Sequence, residues 1–170
     1  MQEISIRIAT LADDAALRDI DQQTWSPSTA PADRWPTDKP FFTESAGPDL
    51  VVAADVDGTA IGYSRLESVF PIPSTRHVLG INGFAVHPQW QGRGVAGRLL
   101  TATIALARER GARKLTLRVL ASNPGAIRVY QRAGFVEEGR LTGLFLLEGQ
   151  YVDDLLMSLD LSDAQLATTS

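Results

Sequence analysis

The sequence predicts an α/β fold of the α+β mixed-sheet type, with about seven mostly antiparallel strands flanked by about four helices. Several stretches alternate apolar and polar residues, as half-buried strands do. Asp57-Gly58 separates two of these stretches and is typical of a two-residue hairpin turn. An apolar run that ends at Val86 passes through a glycine-rich turn into an amphipathic helical pattern.

The first half of the chain is predicted to contain a strand, a helix, a long loop and a hairpin. Thr10 suits the N-cap of the helix, and Asp57-Gly58 is the turn of the hairpin. The long loop carries five prolines and two tryptophans, and we expect one short helix within it. In order, the elements are a strand over Ile4–Ile8, a helix over 11–24, the loop over 25–48 with its helix near 38–46, and strands over Leu50–Val56 and Thr59–Val69.

The second half is predicted to alternate strands and helices before a final hairpin. Gly111 suits the residue after a helix, and Pro124 suits the first turn of another, capped by Ser122 or Asn123. The elements are a strand over His77–Val86, a helix over Gly94–Arg110, a strand over Lys114–Leu120, a helix that ends at Gly134, and strands over Val136–Leu147 and Tyr151–Leu159. Residues 1–160 form the predicted single domain, followed by a polar tail over 161–170.

Composition excludes several classes of protein and site. The chain has no cysteine and two histidines, so disulfides and thiolate metal sites are excluded and no metal is expected. No apolar run approaches the about 20 residues of a membrane span, and the N-terminal residues do not resemble a signal peptide. We therefore expect a cytoplasmic protein that does not bind membranes.

Charge is distributed unevenly along the chain. The net charge is −4. Residues 93–140 nevertheless contain ten basic and three acidic residues, whereas residues 1–92 contain six basic and twelve acidic ones. A basic segment that begins at the glycine turn favours an anion site. Nucleic acid is not expected as a partner, because the chain is acidic overall and has no stripe of aromatic and basic residues.

The glycine turn itself matches more than one phosphate-binding pattern. Gly92-x-Gly94-x-x-Gly97 before a helix presents backbone N–H groups at the positive end of the helix dipole, which suits a pyrophosphate. The same spacing occurs in dinucleotide-binding folds, but the acidic residue expected about 20 positions later is absent. Arg118 stands in that region, so an NADP-linked enzyme remains a minor alternative. A P-loop is excluded, because no Gly-Lys-Ser/Thr follows.

Two separated motifs resemble those of the GCN5-related N-acetyltransferases, the GNAT family. The first is Gln91-x-x-Gly94-x-Ala96, preceded by Val86-x-Pro88. The second is Asn123-x-x-Ala126-x-x-x-Tyr130-x-x-x-Gly134-Phe135. The resemblance covers roughly residues 4–160 and implies the family fold, in which the fourth and fifth strands splay apart. The final strand, Tyr151–Met157, looks like that of the phosphinothricin and amino-acid acetyltransferase branch.

The resemblance implies acetyl-CoA as co-substrate and assigns residues to it. Backbone amides from Gln91 to Gly97 would hold its pyrophosphate, and β-like pairing with Phe84, Ala85 and Val86 would hold the pantetheine arm. Tyr130 would protonate the departing thiolate, and the N–H of Ala85 or Val86 would polarise the thioester carbonyl. The cofactor-binding residues expected are Phe84, Ala85, Val86, Gln91, Gly92, Arg93, Gly94, Val95, Ala96, Gly97, Asn123, Ala126 and Tyr130.

The acceptor amine also needs a base to remove its proton. Glu67 is our first candidate, because it stands on the third predicted strand, and His77, Glu44 and Asp38 are the others. The acceptor is predicted to be a small amine or amino acid, with the loop 25–48 lining its site. A peptide N-terminus and a non-catalytic acyl-CoA-binding module remain alternatives. Many relatives dimerise, so a homodimer is expected.

Overall fold

The structure is a computed structural model, and it describes residues 2–44 and 46–162. Seven strands and three α-helices form within these residues, so the predicted mixed fold is confirmed with one helix fewer than expected. The strands are β1 (Ser5–Ile8), β2 (Val51–Val56), β3 (Thr59–Ser68), β4 (Val78–Val86), β5 (Lys114–Leu120), β6 (Val136–Leu147) and β7 (Gln150–Asp160). The helices are α1 (Asp14–Thr24), α2 (Val95–Glu109) and α3 (Pro124–Arg132).

The strands form one sheet that opens in its middle. Their order is β1-β2-β3-β4-β5-β7-β6, and all neighbours are antiparallel except β4 and β5. The parallel pairing of β4 with β5 ends at Ile81↔Leu117, although β4 continues to Val86 and β5 to Leu120. The two strands therefore separate beyond Ile81, which confirms the expected splay and leaves one edge of β4 open.

A β-bulge marks the point at which β4 leaves β5. The register of β3 and β4 shifts there, so that Asn82 and Gly83 together lie opposite Arg65. Gly83 has a φ of 122°, a value that residues with a Cβ rarely adopt. Bulges bend a strand and redirect its side chains, so this bulge turns the open segment of β4 away from β5.

Two hydrophobic clusters hold helices against the sheet. The larger cluster includes Leu99 and Leu100 of α2 and Tyr130 of α3. The smaller one includes Leu17 and Ile20 of α1, packed with residues of β2 and β3 and of the loop after α1. Burial of each such leucine or isoleucine side chain stabilises the fold by about 1.5–3 kcal/mol. The open segment of β4 thus lies between helices that arise from distant parts of the chain.

The long connection after α1 contains no α-helix in its described part, so the helix expected near 38–46 is wrong. A single bridge joins Thr43 to Ala46. The Oδ2 atom of Asp14 accepts hydrogen bonds from the backbone N–H groups of Phe41, at 2.7 Å, and Phe42, at 3.1 Å. These bonds to α1 take the place of helical ones, and Pro40 has no N–H to donate. The connection is therefore anchored to α1, and its Phe41 and Phe42 side chains are buried.

The last hairpin and the end of the chain differ slightly from expectation. Glu148 and Gly149 have φ values of 47° and 78°, so they form a two-residue turn and β7 begins at Gln150. Leu161 is buried, and its N–H donates to the Arg113 carbonyl at 2.9 Å. Most of the predicted tail, residues 163–170, lies outside the described residues. No helix within the described part is both long and apolar enough to cross a bilayer.

The edge strand β6 has apolar side chains on its surface. Val136, Leu144 and Leu146 are exposed there, and so is Tyr151 on β7. The homodimer expected from the sequence stays a prediction.

Candidate active site

A cleft of about 1380 Å³ opens where β4 and β5 separate. One wall is the open segment of β4, one end is the glycine turn before α2, and the other side is the beginning of α3. Arg93 and Tyr130 are the predicted cofactor residues that do not line it. The predicted residues in its lining are Phe84, Ala85, Val86, Gln91, Gly92, Gly94, Val95, Ala96, Gly97, Asn123 and Ala126.

The backbone polarity of β4 alternates along this wall. The His87 N–H donates to the Ile61 carbonyl at 2.8 Å, so residue 87 bonds to β3. Because hydrogen-bonded and non-bonded positions alternate in antiparallel strands, residue 85 also bonds to β3, and residues 84 and 86 point away. The backbone groups of Phe84 and Val86 therefore face the open side. Of the two predicted carbonyl-polarising N–H groups, that of Val86 faces the cleft and that of Ala85 does not.

The glycine turn presents a run of unbonded backbone amides. Within the described chain, the backbone N–H groups from Gly92 to Gly97 donate no hydrogen bond. The next backbone N–H, that of Arg98, donates to the Gly94 carbonyl. Gly92 and Gly94 have φ values of 73° and 77°, and a Cβ on either would meet open space. The turn therefore combines free amides, open approach and the positive end of the α2 dipole, which suits an anion.

Gln91 fastens this turn to the strand. Its side-chain Nε2 donates to the Val86 carbonyl at 2.9 Å. Its backbone N–H lies 3.4 Å from the Pro88 carbonyl, so the free amides begin at Gly92 and not at Gln91 as expected. Gln91 thus shapes the cleft by holding strand and turn together.

The charged residues in the described lining of the cleft are both positive. They are Arg98 on α2 and Arg132 on α3. Arg93 instead stacks over Trp90, with its guanidinium carbon 4.8 Å from the ring centroid. The two lining arginines make the electrostatic potential of the cleft favourable for an anionic ligand.

Asn123 is fixed by the helix that it begins. Its Oδ1 caps α3 by accepting from the Ala126 N–H at 3.2 Å. This cap holds Asn123 in the cleft lining, and its amide NH₂ remains the group that it can offer to a ligand.

Tyr130 lies behind the lining, against Phe84. It is 7% exposed. Its ring contacts those of Phe84 and Phe135 edge to face, with centroids 5.7 Å and 6.0 Å apart. Burial raises the pKa of Tyr130 to about 12. The hydroxyl is therefore protonated at neutral pH, the state that a proton donor needs.

The predicted bases are not in the cleft lining. Glu67 is exposed on β3 and accepts a hydrogen bond from Asn82 Nδ2 at 2.7 Å, close to the bulge. Asp38 and Glu44 are exposed in the long connection. His77 precedes the opposite end of β4, where it lines a separate pocket of about 330 Å³.

Sequence reasoning missed a polar group on the α1 face of the sheet. The hydroxyl of Tyr63 on β3 donates a hydrogen bond to Asp21 Oδ1 on α1. Arg65 stacks its guanidinium carbon 4.0 Å from the centroid of the Phe41 ring and donates to the Phe41 carbonyl at 3.1 Å. The period of two along β3 places Tyr63 and Arg65 on one face, but no local pattern pairs them with α1. The cleft lining also includes Thr24 and Thr29, at and after the end of α1.

Comparison with known proteins identifies the family of this chain. The profile of the acetyltransferase (GNAT) family matches residues 15–135. The chain belongs to the GNAT family. It is similar to the L-amino acid N-acetyltransferase AaaT of Escherichia coli, at 31% identity over 163 residues, covering 93% of this chain and 98% of that protein. It is also similar to the L-amino acid N-acyltransferase MnaT of the same species, at 25% identity over 170 residues, covering 94% and 95%.

Solved structures share the fold of this GNAT acetyltransferase. One is the yncA protein of Salmonella typhimurium, solved with its cofactor acetyl-CoA, which superposes with a TM-score of 0.79 at 21% identity and covers 94% of this chain and 95% of that one.

The alternative of an NADP-linked enzyme is wrong. Arg118, on which it depended, pairs with the buried carboxylate of Asp154.

Proposed function

We propose that this GNAT enzyme transfers the acetyl group of acetyl-CoA directly to the primary amine of a small molecule or an amino acid. The observation that carries the proposal is the run of free amides from Gly92 to Gly97 beside the open edge of β4. A diphosphate and an extended amide-containing arm need these two features side by side.

The cofactor would lie along β4 with its pyrophosphate on the glycine turn. The amides of Gly92 to Gly97 would donate to the phosphate oxygens, and Arg98 and Arg132 would add positive charge. The pantetheine arm would pair with the outward backbone groups of Phe84 and Val86, as a strand added to an open edge does. Asn123 and Ala126 would border the arm from α3.

The reaction would be a direct attack of a neutral amine on the thioester carbonyl carbon. An outward N–H of β4, such as that of Val86, would stabilise the oxyanion. Tyr130 would protonate the thiolate as it leaves, because its hydroxyl still carries its proton at neutral pH. Binding both reactants in one cleft would supply much of the rate.

Two observations support a small amine or amino acid as the acceptor. The relatives AaaT and MnaT are L-amino acid N-acetyl- and N-acyltransferases. Residues 1–92, which supply α1 and the long connection, contain twelve acidic and six basic residues, and this charge favours a cationic amine. Thr24 and Thr29 are the described lining residues that would meet an acceptor entering from the α1 side.

A thiol-release screen tests the proposal. Purified protein is mixed with acetyl-CoA and, in turn, amino acids, polyamines, aminoglycosides and short peptides, and free CoA is measured. We expect release with at least one small amine or amino acid and tight binding of acetyl-CoA, but not of NADP, by calorimetry. Release with peptides alone would indicate a peptide N-terminal acetyltransferase. Binding of acetyl-CoA without release by any amine would favour a non-catalytic binding module.

A further inference from the structure

A hydrogen-bonded pair of a buried tyrosine and a half-buried aspartate lies beside the bulge of β4, on the α1 face of the sheet. Tyr63 is 5% exposed, and its hydroxyl donates a hydrogen bond to Asp21. Its ring passes over Gly83: a Cβ on Gly83 would lie 3.1 Å from Tyr63 Cε2 and 3.5 Å from the hydroxyl oxygen. The pair therefore borders the point at which β4 leaves β5.

The reactive end of acetyl-CoA would lie at the same level of β4. The glycine turn follows Val86, so an arm paired with the strand runs back from Val86 toward Asn82, a distance of about 13 Å at about 3.3 Å per residue. Tyr130 approaches this stretch through Phe84, with ring centroids 5.7 Å apart. Tyr63 approaches it at Gly83, the residue before Phe84, from the cluster that contains α1.

We propose that Tyr63 takes the proton of the acceptor ammonium group and that Asp21 is its positioning partner; this inference rests on the proposed function. The ammonium group gives one proton to the Tyr63 oxygen while Tyr63 passes its own proton to the Asp21 carboxylate. The neutral amine forms the C–N bond, the C–S bond breaks, and Tyr130 protonates the sulfur. The amine then loses its second proton, which restores the hydroxyl of Tyr130. Asp21 returns its proton to solvent. The net products are the amide, CoA and one proton.

The surroundings of Asp21 suit this role. Burial raises the pKa of Asp21, while the Tyr63 hydrogen bond and the positive charge of Arg65 lower it by smaller amounts. Phe41, which packs on Tyr63 from the long connection, and Gly83 of β4 contribute no charge. Arg18 and Asp14, earlier on α1, pair with each other. A carboxylate with a raised pKa is a stronger base than one with the ordinary value.

Four variants test the pair. Asp21→Asn and Tyr63→Phe keep the shape of the side chains, Asp21→Glu restores a carboxylate, and Asp19→Asn is the control, because Asp19 is an exposed carboxylate of α1 that bonds to Gln23. The kcat/KM is measured from about pH 6 to about pH 10. The acceptors are the most active L-amino acid of the screen and hydroxylamine, which is already neutral through most of this range. Thermal melts and calorimetry with acetyl-CoA check folding and cofactor binding.

We expect Asp21→Asn and Tyr63→Phe to lower kcat/KM for the amino acid at least about tenfold near about pH 7, with the deficit shrinking toward about pH 10, where the amino acid itself loses its proton. Hydroxylamine needs no proton removal before it attacks, so its kcat/KM falls much less. Asp21→Glu recovers part of the activity, and Asp19→Asn behaves as wild type. Equal losses with both amines, or an unchanged pH profile in Asp21→Asn, would overturn the inference alone. No CoA release by wild-type protein with any amine would overturn the proposed function as well.

Discussion

The two faces of the open segment of β4 carry different kinds of site. On the side of α2 and α3, the candidate contacts are mostly backbone groups: the free amides of the glycine turn and the outward groups of Phe84 and Val86. On the α1 side they are side chains from separate elements, Asp21 and Tyr63. A backbone site needs only a local conformation, whereas a side-chain site needs distant segments to be packed together.

The two tyrosines express the same contrast. Both are buried, and burial raises the pKa of each. Tyr63 has a carboxylate partner, whereas the hydroxyl of Tyr130 makes no hydrogen bond to any other residue that the structure describes. A lone phenol can only give its proton to a base that forms beside it, whereas a phenol bonded to a carboxylate can accept a proton while it passes its own to that partner. The contrast teaches that one residue type can serve as acid or as base according to its partner.

Removal of the Tyr130 hydroxyl has the largest expected effect. We expect Tyr130→Phe to lower kcat by about a hundredfold, because a positioned general acid contributes about 10²–10⁴ to a rate. Acetyl-CoA affinity should stay nearly intact, since the ring still packs on Phe84. Single-turnover kinetics and calorimetry measure the two quantities. Wild-type turnover in this variant would reject Tyr130 as the acid and remove the contrast between the tyrosines.

Substitution in the glycine turn tests the backbone side. Gly94→Ala places a Cβ at a φ of 77°, which costs about 1–2 kcal/mol. We expect acetyl-CoA affinity to fall about tenfold as the turn rearranges. Gly149→Ala is the matched control, because Gly149 has a φ of 78° and equally open space in the β6–β7 turn. Equal Kd values for the two variants would show that the turn does not hold the cofactor.

Alkaline titration of stability tests the burial of Tyr130. The pKa of Tyr130 is about 12 in the folded state, against about 10 when the chain is unfolded. This difference contributes to the free energy of unfolding, and its contribution is fully present below about pH 10 and is lost as the pH rises toward about 12. Between about pH 9 and 11, wild-type protein should therefore lose about 1 kcal/mol more unfolding free energy than Tyr130→Phe. Urea unfolding at both values measures the difference. Parallel loss in the two proteins would mean that Tyr130 titrates normally.

Gly97→Ala has the smallest expected effect. Gly97 lies in the first turn of α2 without a positive φ, and a Cβ there would meet open space. Alanine in a helix is more stable than glycine by about 0.5–1 kcal/mol, and it keeps the N–H that the phosphate needs. We expect a small gain in unfolding free energy with an acetyl-CoA Kd close to that of wild type. A large loss of affinity would show that the cofactor contacts the Gly97 Cα closely.

The order of the elements and most of the cofactor side could be predicted because their signals are local. The alternation of β5 gave its bounds, Lys114–Leu120, and the cap at Asn123 placed α3. The helix expected near 38–46 failed because Asp14, some 27 residues away in sequence, binds the Phe41 and Phe42 amides. Two backbone details also differed from expectation. The 3-10 turn at Pro88 takes the Gln91 N–H, and the register with β3 turns the Ala85 N–H away from the cleft.

The sequence alone determined the family, the sheet with its glycine turn, and eleven residues of the cleft lining, because glycines, caps and strand periods act within a few residues. Tertiary structure alone decided which polar groups meet on the α1 side of the open segment of β4. Asp21 and Tyr63 are separated by 42 residues, and only the packing of α1 on β3 brings their side chains into contact. The hydrogen bond between these two side chains and their removal from water depend on residues that are close in space. No local pattern in the sequence indicates which residues those are.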